Sequence, residues 1–201
     1  MRKLQVLPIV EGHGEERAVR VLLERLAQEL RAGSFVEILH PIRQPRTRLV
    51  QERHLQRSVE LAAVKLRQRT EDGVPQLILL LLDAEEDPAC TLAPQLLAWM
   101  RQSRSDFDCA CVLAVHEYET WFVAAAESLA EHLDLGEEAP PPDPEQARLR
   151  KAWVKKRFRG ASYSETIDQP AMTAQMDLKL CRERAPSFDK LCRELEQRLN
   201  A

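Results

Sequence analysis

Residues 4–16 read LQVLPIVEGHGEE, and the interpretation of the whole chain starts from them. Residues 4–10 form an apolar run with the length and aliphatic content of a buried strand. Glu11 follows this run directly, and two of the next three residues are glycines, which permit a sharp turn where side chains would clash. From Glu15 onwards the apolar residues recur at helical spacing. The stretch therefore predicts a strand, a glycine turn and a helix.

The same alternation of strand and helix continues along the chain. Apolar runs predict three further strands, at residues 34–42, 76–82 and 109–115. Helical patterns lie between and after them, at residues 47–70, 91–100 and 121–133. Such an alternation is typical of a mostly parallel sheet covered by helices. We therefore expect an α/β fold with a mostly parallel four-stranded sheet flanked by helices.

A proline-rich stretch divides the chain into two parts. Residues 136–144 read GEEAPPPDP and have neither helical nor strand periodicity, as is typical of a linker. We predict an α/β domain over residues 1–133, a connector over residues 134–144 and a helical C-terminal segment, residues 145–201, that packs on the domain. Within that segment, helices are predicted at residues 145–158, about 168–184 and 187–199.

Bulk composition indicates a soluble intracellular protein. Of the 201 residues 44% are hydrophobic, which is enough for a substantial core, and no apolar run approaches the length of a membrane span. Five cysteines are an odd number without zinc-like spacing, which is typical of free thiols in a reducing compartment. No signal peptide is recognisable, so we expect a cytoplasmic protein without a membrane partner. The net charge of −3 leaves a nucleic-acid partner open.

Acidic residues follow three of the four predicted strands. Glu11 follows the first, Asp83 and Glu85 the third, and Glu117 and Glu119 the fourth. Right-handed crossovers place these strand ends on one edge of a parallel sheet, where the carboxylates would repel one another unless a cation relieved them. Oxygen ligands without nearby Cys or clustered His favour Mg²⁺ or Mn²⁺, and such ions usually act on phosphate oxygens.

Each acid taken alone also has a simpler interpretation. Acidic residues after strands often cap helices or interact with the positive end of the helix dipole. Glu15 and Glu16, in the first turn of the first predicted helix, fit that role well. Acids at three strand ends nevertheless favour a shared cation site over three separate caps.

The motifs occur in an order found in one protein family. They are Glu11-Gly12-His13-Gly14-Glu15, an apolar strand ending in Asp83, and Glu119-Thr120-Trp121. In this order they resemble the topoisomerase–primase (TOPRIM) domain, and especially a group of short, stand-alone bacterial TOPRIM-like proteins of unknown function with an N-terminal E-G-x-x-E motif. Residues 163–188 also resemble that group's closing segment, so the similarity extends over nearly the whole chain.

This resemblance implies a TOPRIM/Rossmann-like sheet with a Mg²⁺-assisted phosphoryl site, at which Mn²⁺ is an alternative ion. The family's second motif is normally Asp-x-Asp, whereas this chain has Asp83-Ala84-Glu85, in which the second acid reaches one methylene further. The implied catalytic residues are Glu11, Glu15 and Asp83. The implied metal ligands are Glu11, Asp83, Glu85, Asp87 and Glu119.

Residues 148–159 read RLRKAWVKKRFR and carry seven basic residues, no acid and two interleaved aromatic residues. Such a segment suits a nucleic-acid backbone, with rings that could stack on bases. The candidate contacts are Arg148, Arg150, Lys151, Lys155, Lys156, Arg157 and Arg159. The alternative is a solvated amphipathic helix whose Trp153 packs on the main domain.

These patterns favour a Mg²⁺-dependent, nuclease-like enzyme that acts on phosphodiester bonds. The resemblance further implies a component of a bacterial defence or mobile-element system that works beside a separately encoded ATPase. One alternative is a non-catalytic TOPRIM-like module that recruits a partner protein or nucleic acid through its basic helix. Another is hydrolysis of a small nucleotide. The sequence leaves open DNA or RNA as substrate and the oligomeric state.

Overall fold

The structure, a computed structural model, describes residues 3–31, 33–137, 139–147 and 150–200. Within these residues the sheet has five strands, and all the pairings between them are parallel. The strands are β1 (Lys3–Val10), β2 (Phe35–Ile38), β3 (Ile42–Arg43), β4 (Gln76–Asp83) and β5 (Asp108–Ala114). Their order is β2-β1-β4-β5, and β3 pairs with the C-terminal end of β1. The α/β fold with a parallel sheet is thereby confirmed.

Helices cover both faces of this sheet. In the domain they are α1 (His13–Leu30), α2 (Arg46–Leu49), α3 (Glu52–Arg67), α4 (Ala89–Ser103) and α5 (Glu119–Ala124), with a 3-10 turn at Ala126–Leu129. In the C-terminal segment they are α6 (Arg150–Arg157), α7 (Glu165–Gln175), α8 (Leu178–Arg184) and α9 (Pro186–Asn200). Among the described helices, none is long and apolar enough to cross a membrane.

The alternation of side chains along the central strands builds two cores. In β4, Leu77, Leu79 and Leu81 face one core, whereas Ile78, Leu80 and Leu82 face the other. The first core contains α1, α5 and the helices of the C-terminal segment, and the second contains α3 and α4. Because successive residues of a strand point to opposite faces, a strand buried on both sides must be apolar throughout. This explains the uninterrupted aliphatic run of β4.

The predicted strand at residues 34–42 is divided into β2 and β3. Pro41 has no N–H to donate to the ladder, so pairing with β1 stops before it and resumes at Ile42. The sheet therefore has one more strand than the four predicted. Two predicted helices also end early. Residues 121–133 form α5 and a 3-10 turn, and residues 168–184 divide at Asp177, whose side chain caps α8 by accepting from the N–H groups of Lys179 and Leu180.

The C-terminal segment packs on the α/β core. Phe188 of α9 meets the ring of Trp121 at a centroid distance of 5.2 Å. The indole N–H of Trp121 donates to Ser187 Oγ at 2.9 Å. Met172 of α7 and Leu191 of α9 belong to the same buried cluster as the apolar face of α1. These contacts hold α7 against the glycine turn that follows β1.

Candidate functional site

The strand order brings the predicted acidic residues together at one edge of the sheet. β1, β4 and β5 are neighbours, and their C-terminal ends carry Glu11, Asp83 and, at the start of α5, Glu119. The charges of Glu11, Glu15 and Glu119 all act on the carboxyl group of Asp83. We call this group of four carboxylates the acid crevice. It consists of Glu11, Glu15, Asp83 and Glu119.

The backbone at this edge adopts an uncommon conformation. Past the ends of their strands, the N–H of Glu85 donates to the carbonyl of His116 at 2.8 Å, which extends the pairing of β4 with β5. Both residues lie in the left-handed region, with φ of 50° for Glu85 and 61° for His116. Residues other than glycine adopt this region at a cost in free energy, and such strain concentrates at functional sites.

Burial and mutual repulsion disfavour the charged forms of two carboxyls in the acid crevice. The pKa of Asp83 is raised well above its usual value, first by burial and then by the charges of Glu15, Glu119 and Glu11. Part of the Asp83 side chain is still open to solvent. Burial also raises the pKa of Glu11, with Glu15 and Glu85 adding to the effect and Arg46 opposing it. Without a compensating cation, this cluster is electrostatically unfavourable.

Glu119 is the most buried carboxylate of the group, with 1% of its surface exposed. The hydroxyl of Tyr163 donates to its Oε1 at 2.9 Å. Burial raises the pKa of Glu119 to about 7, and the nearby Lys151 ammonium opposes this shift. Lys151 in turn forms an ion pair with Glu165 at 2.6 Å, and its backbone N–H donates to Glu117 at 2.9 Å. Glu119 can therefore hold or release a proton near neutral pH.

Two carboxylate oxygens of the acid crevice are buried without a hydrogen-bond donor in the described part of the chain. They are Oε2 of Glu11 and Oε2 of Glu15. A Cβ atom added at Gly12 would lie 2.2 Å from the second of these oxygens, so the glycine turn leaves room for the Glu15 carboxylate. A buried acceptor without a donor costs free energy. A cation, a proton or an ordered water molecule would satisfy these oxygens.

Glu85 and Asp87, two of the expected metal ligands, lie at the rim of the crevice with more than half of each side chain exposed. Both pair with Arg46, Glu85 at 3.6 Å. The same guanidinium donates to the carbonyls of Asp83 and Ala84, each at 3.1 Å. Arg46 thus joins the start of α2 to the end of β4 and holds the loop that carries these acids.

The donor chemistry of the crevice fits a hard divalent cation. Among the described residues, no three His, Cys, Asp or Glu side chains stand in a geometry that could hold a metal ion. Mg²⁺, however, is usually bound by one or two carboxylates, with water and substrate phosphates filling the other positions. The unsatisfied oxygens of Glu11 and Glu15, next to Asp83, suit such an ion.

The residues of the predicted basic segment have different surroundings in the structure. Arg148 lies outside the described residues. Arg150 is buried and donates to the carbonyl of Glu145 at 2.9 Å. Arg157 is buried, with its guanidinium 4.2 Å from the ring centre of Trp153. Arg159 donates to the carbonyl of Ala130 at 2.9 Å, while Lys151 lies at the acid crevice. The exposed lysines of α6 are Lys155 and Lys156.

Gly14→Ala is expected to lower the free energy of unfolding by about 1–3 kcal/mol, the usual cost of overpacking. The added methyl group would lie 2.1 Å from Gln169 Oε1 and 3.0 Å from the Cβ of Glu165, so α7 would have to move. Urea denaturation measures the loss. Gly12→Ala is the matched comparison, because its methyl group meets only the flexible carboxylate of Glu15, and its loss should be smaller. Equal stability of Gly14→Ala and wild type would contradict this packing.

One neighbour of the crevice was not assigned to the site from the sequence. Tyr163 reaches Glu119 from the C-terminal segment and does not follow a strand. Comparison with curated proteins and with solved structures finds no match. A family model described as a domain of unknown function (DUF4276) matches residues 10–196, a range that includes every residue of the acid crevice. The chain therefore belongs to the DUF4276 family.

Proposed function

We propose that this protein is a TOPRIM-like, divalent-metal-dependent enzyme that cleaves or transfers phosphodiester bonds in nucleic acid. The observation that carries the proposal is the acid crevice at the ends of three neighbouring strands, in which burial, and then the charges of Glu15, Glu119 and Glu11, raise the pKa of Asp83. Two oxygens of that crevice also lack donors among the described residues. Sites that perturb carboxyl pKa values in this way are candidates for catalysis or metal binding.

The side chains of the crevice would have different roles in such a reaction. Glu11 and Asp83 would hold Mg²⁺ or Mn²⁺. When bound, such an ion would polarise a phosphate oxygen and make a water molecule more acidic. Glu119, with its pKa near 7 and its bond from Tyr163, can accept or return a proton at its carboxylate. Lys151 stays protonated, because the neighbouring Glu165 and Glu119 raise its pKa, and it offers a positive charge to a phosphate.

A polymeric substrate is supported by positive charge on two sides of the crevice. Arg46 lies at the β4 end, and Lys151 lies at the start of α6. Lys155 and Lys156 continue the positive charge along the exposed side of α6. Lysine contacts to phosphates bind nucleic acid without regard to sequence and in a salt-dependent manner.

The second candidate is a non-catalytic module that binds nucleic acid or a partner protein. It is supported by the pairing of both Glu85 and Asp87 with Arg46. This pairing engages Glu85 and Asp87 with a guanidinium instead of leaving them free to ligate a metal, as the TOPRIM resemblance implies. Under this alternative, binding would not respond to a chelator, and substitution of Glu11 or Asp83 would leave it intact.

A cleavage assay separates the two candidates. The full chain is incubated with single- and double-stranded DNA and RNA in Mg²⁺, Mn²⁺ or chelator, beside Glu11→Gln and Asp83→Asn. We expect metal-dependent cleavage that both substitutions abolish. Glu24→Gln, on the exposed side of α1 where it pairs with Arg20, is the control and should cleave normally. Cleavage that persists in both crevice variants would place the activity elsewhere and contradict the proposal.

Lys155→Gln with Lys156→Gln is expected to weaken nucleic-acid binding and to reduce its salt dependence. If each lysine contacts one phosphate, the slope of log binding constant against log salt should fall by about 1.4–1.8 in total. Fluorescence anisotropy at four salt concentrations measures this slope. Lys179→Gln, an exposed lysine of α8, serves as the control. An unchanged slope would show that α6 does not contact the phosphate backbone.

The cellular setting is a proposal that rests on the family resemblance alone. By that resemblance the protein would act in a bacterial defence or mobile-element system, beside a separately encoded ATPase. Co-purification of the full chain with the product of an adjacent ATPase gene tests the partnership, and separate elution of the two proteins would contradict it.

A further inference from the structure

A third unsatisfied oxygen lies beside the acid crevice and comes from the C-terminal segment. Gln169 of α7 is fully buried, and its Oε1 has no hydrogen-bond donor within the described residues. Its side-chain Nε2 donates a hydrogen bond to Glu15 Oε1 at 3.5 Å, so the amide contacts the Glu15 carboxylate. No motif or periodicity selects this residue, which is 154 positions away from Glu15 along the chain.

The glycine turn provides the space for this arrangement. A Cβ atom at Gly14 would lie 2.1 Å from Gln169 Oε1, and one at Gly12 would lie 2.2 Å from Glu15 Oε2. The two oxygens therefore lie against the same short turn. The backbone of Gln169 is held by a buried chain of hydrogen bonds, in which Thr173 Oγ1 donates to its carbonyl at 2.7 Å and meets Tyr118 Oη at 3.0 Å. These bonds hold the backbone of Gln169, from which its amide reaches the glycine turn.

Hydrogen bonds from the described residues leave part of this group of oxygens unsatisfied. Within those residues, three acceptors here lack donors, namely Glu11 Oε2, Glu15 Oε2 and Gln169 Oε1. One proton on a carboxyl group donates one hydrogen bond, and one water molecule donates two, so each leaves at least one acceptor unsatisfied. Carboxylate and amide oxygens are the ligands that a hard divalent cation prefers, so these three oxygens have the chemistry of a donor set for such an ion.

We propose that Gln169 supplies an oxygen ligand to the divalent cation of the acid crevice, at the glycine turn beside the unsatisfied oxygens of Glu11 and Glu15. The C-terminal segment would then complete the metal site rather than merely cover the domain. The inference rests on the proposed function, because it assumes that the acid crevice binds a divalent cation. It adds a ligand that neither the acidic motifs nor the family resemblance assigns.

Calorimetric titration of the metal-free full chain with MnCl₂ at pH 7.5 tests this inference without any activity assay. Wild type should bind Mn²⁺, and Gln169→Leu, which removes the oxygen but keeps much of the volume, should bind about tenfold or more weakly. Gln169→Glu restores an oxygen and should bind at least as tightly as wild type. Gln175→Leu, an exposed residue of the same helix, is the matched control and should bind normally.

The outcomes separate this inference from the proposed function. Equal Mn²⁺ affinity of Gln169→Leu and wild type, with binding lost in Glu11→Gln, would overturn the role of Gln169 and leave the metal-dependent crevice intact. Absence of Mn²⁺ binding by wild type would overturn both. Melting curves in chelator identify variants that fail to fold. If Gln169→Leu fails to fold, a folded Gln169→Glu that binds Mn²⁺ at least as tightly as wild type supports the inference, and one that binds more weakly overturns it.

Discussion

Asp83→Asn is expected to abolish metal-dependent cleavage and, in the same protein, to raise the melting temperature measured in chelator. The loss should be about 10³-fold or more, because a ligand that positions a catalytic cation contributes several kcal/mol to the transition state. The gain in stability follows from the electrostatics of the crevice. An amide at position 83 removes the repulsion from Glu11, Glu15 and Glu119 and has no charge to desolvate.

Two measurements on the same variant test this pair of effects. In a chain of this size, each kcal/mol of repulsion removed should raise the melting temperature by about 2–4 °C. Asp72→Asn is the matched control, since it makes the same change in an exposed turn before β4, at the opposite edge of the sheet. Asp72→Asn should change neither the cleavage activity nor the melting temperature in chelator. An Asp83→Asn protein that cleaves normally, or that melts at a lower temperature than wild type, would contradict this view of the crevice.

The metal-free protein is expected to lose stability from Glu119 as the pH rises from about 4.5 to 7. The folded pKa of Glu119 is about 7, above its ordinary value of 4.5. Below pH 4.5 the carboxyl is protonated in both the folded and the unfolded state, so it has no effect. Between the two pKa values the unfolded chain ionises and the folded one does not, which favours unfolding. The total loss is on the order of 3 kcal/mol.

Comparison of wild type with Glu119→Gln isolates this contribution from the other titrating groups. Urea denaturation in chelator at pH 5 and at pH 8 gives the free energy of unfolding for each protein. The advantage of Glu119→Gln over wild type should grow between these two pH values, because the amide does not ionise and can still accept the hydrogen bond from Tyr163. Glu24→Gln is the exposed control. The same pH dependence in wild type and Glu119→Gln would refute the assignment.

Most of the fold could be predicted because its signals are local. Strands β1, β4 and β5 are buried on both faces, so their continuous aliphatic runs mark them even without knowledge of their partners. The division of one predicted strand into β2 and β3 could not be predicted from Pro41 alone. A proline interrupts a strand only where its position needs an N–H for pairing, and that depends on the neighbouring strand. The order of the strands could not be predicted, because pairing between distant segments leaves no short-range pattern.

The candidate site could be predicted only where acids follow strands. Glu11, Asp83 and Glu119 come together because β1, β4 and β5 are neighbours in the sheet. Gln169 and Tyr163 come instead from the C-terminal segment, and their place at the site depends on how that segment packs against α1 and α5. Uncharged residues in helical or irregular segments have no pattern that distinguishes a ligand from a packing contact.

The most direct measurement is the position of a bound cation in a crystal of the full chain grown with Mn²⁺. Anomalous difference density collected near the manganese absorption edge identifies the ion without reference to its ligands. We predict a single strong peak among the acid crevice oxygens, within about 2.0–2.4 Å of Glu11 and at least one neighbouring crevice oxygen. A crystal that contains Mn²⁺ but shows no peak at the ends of β1 and β4 would contradict the proposal that these carboxylates form a metal centre.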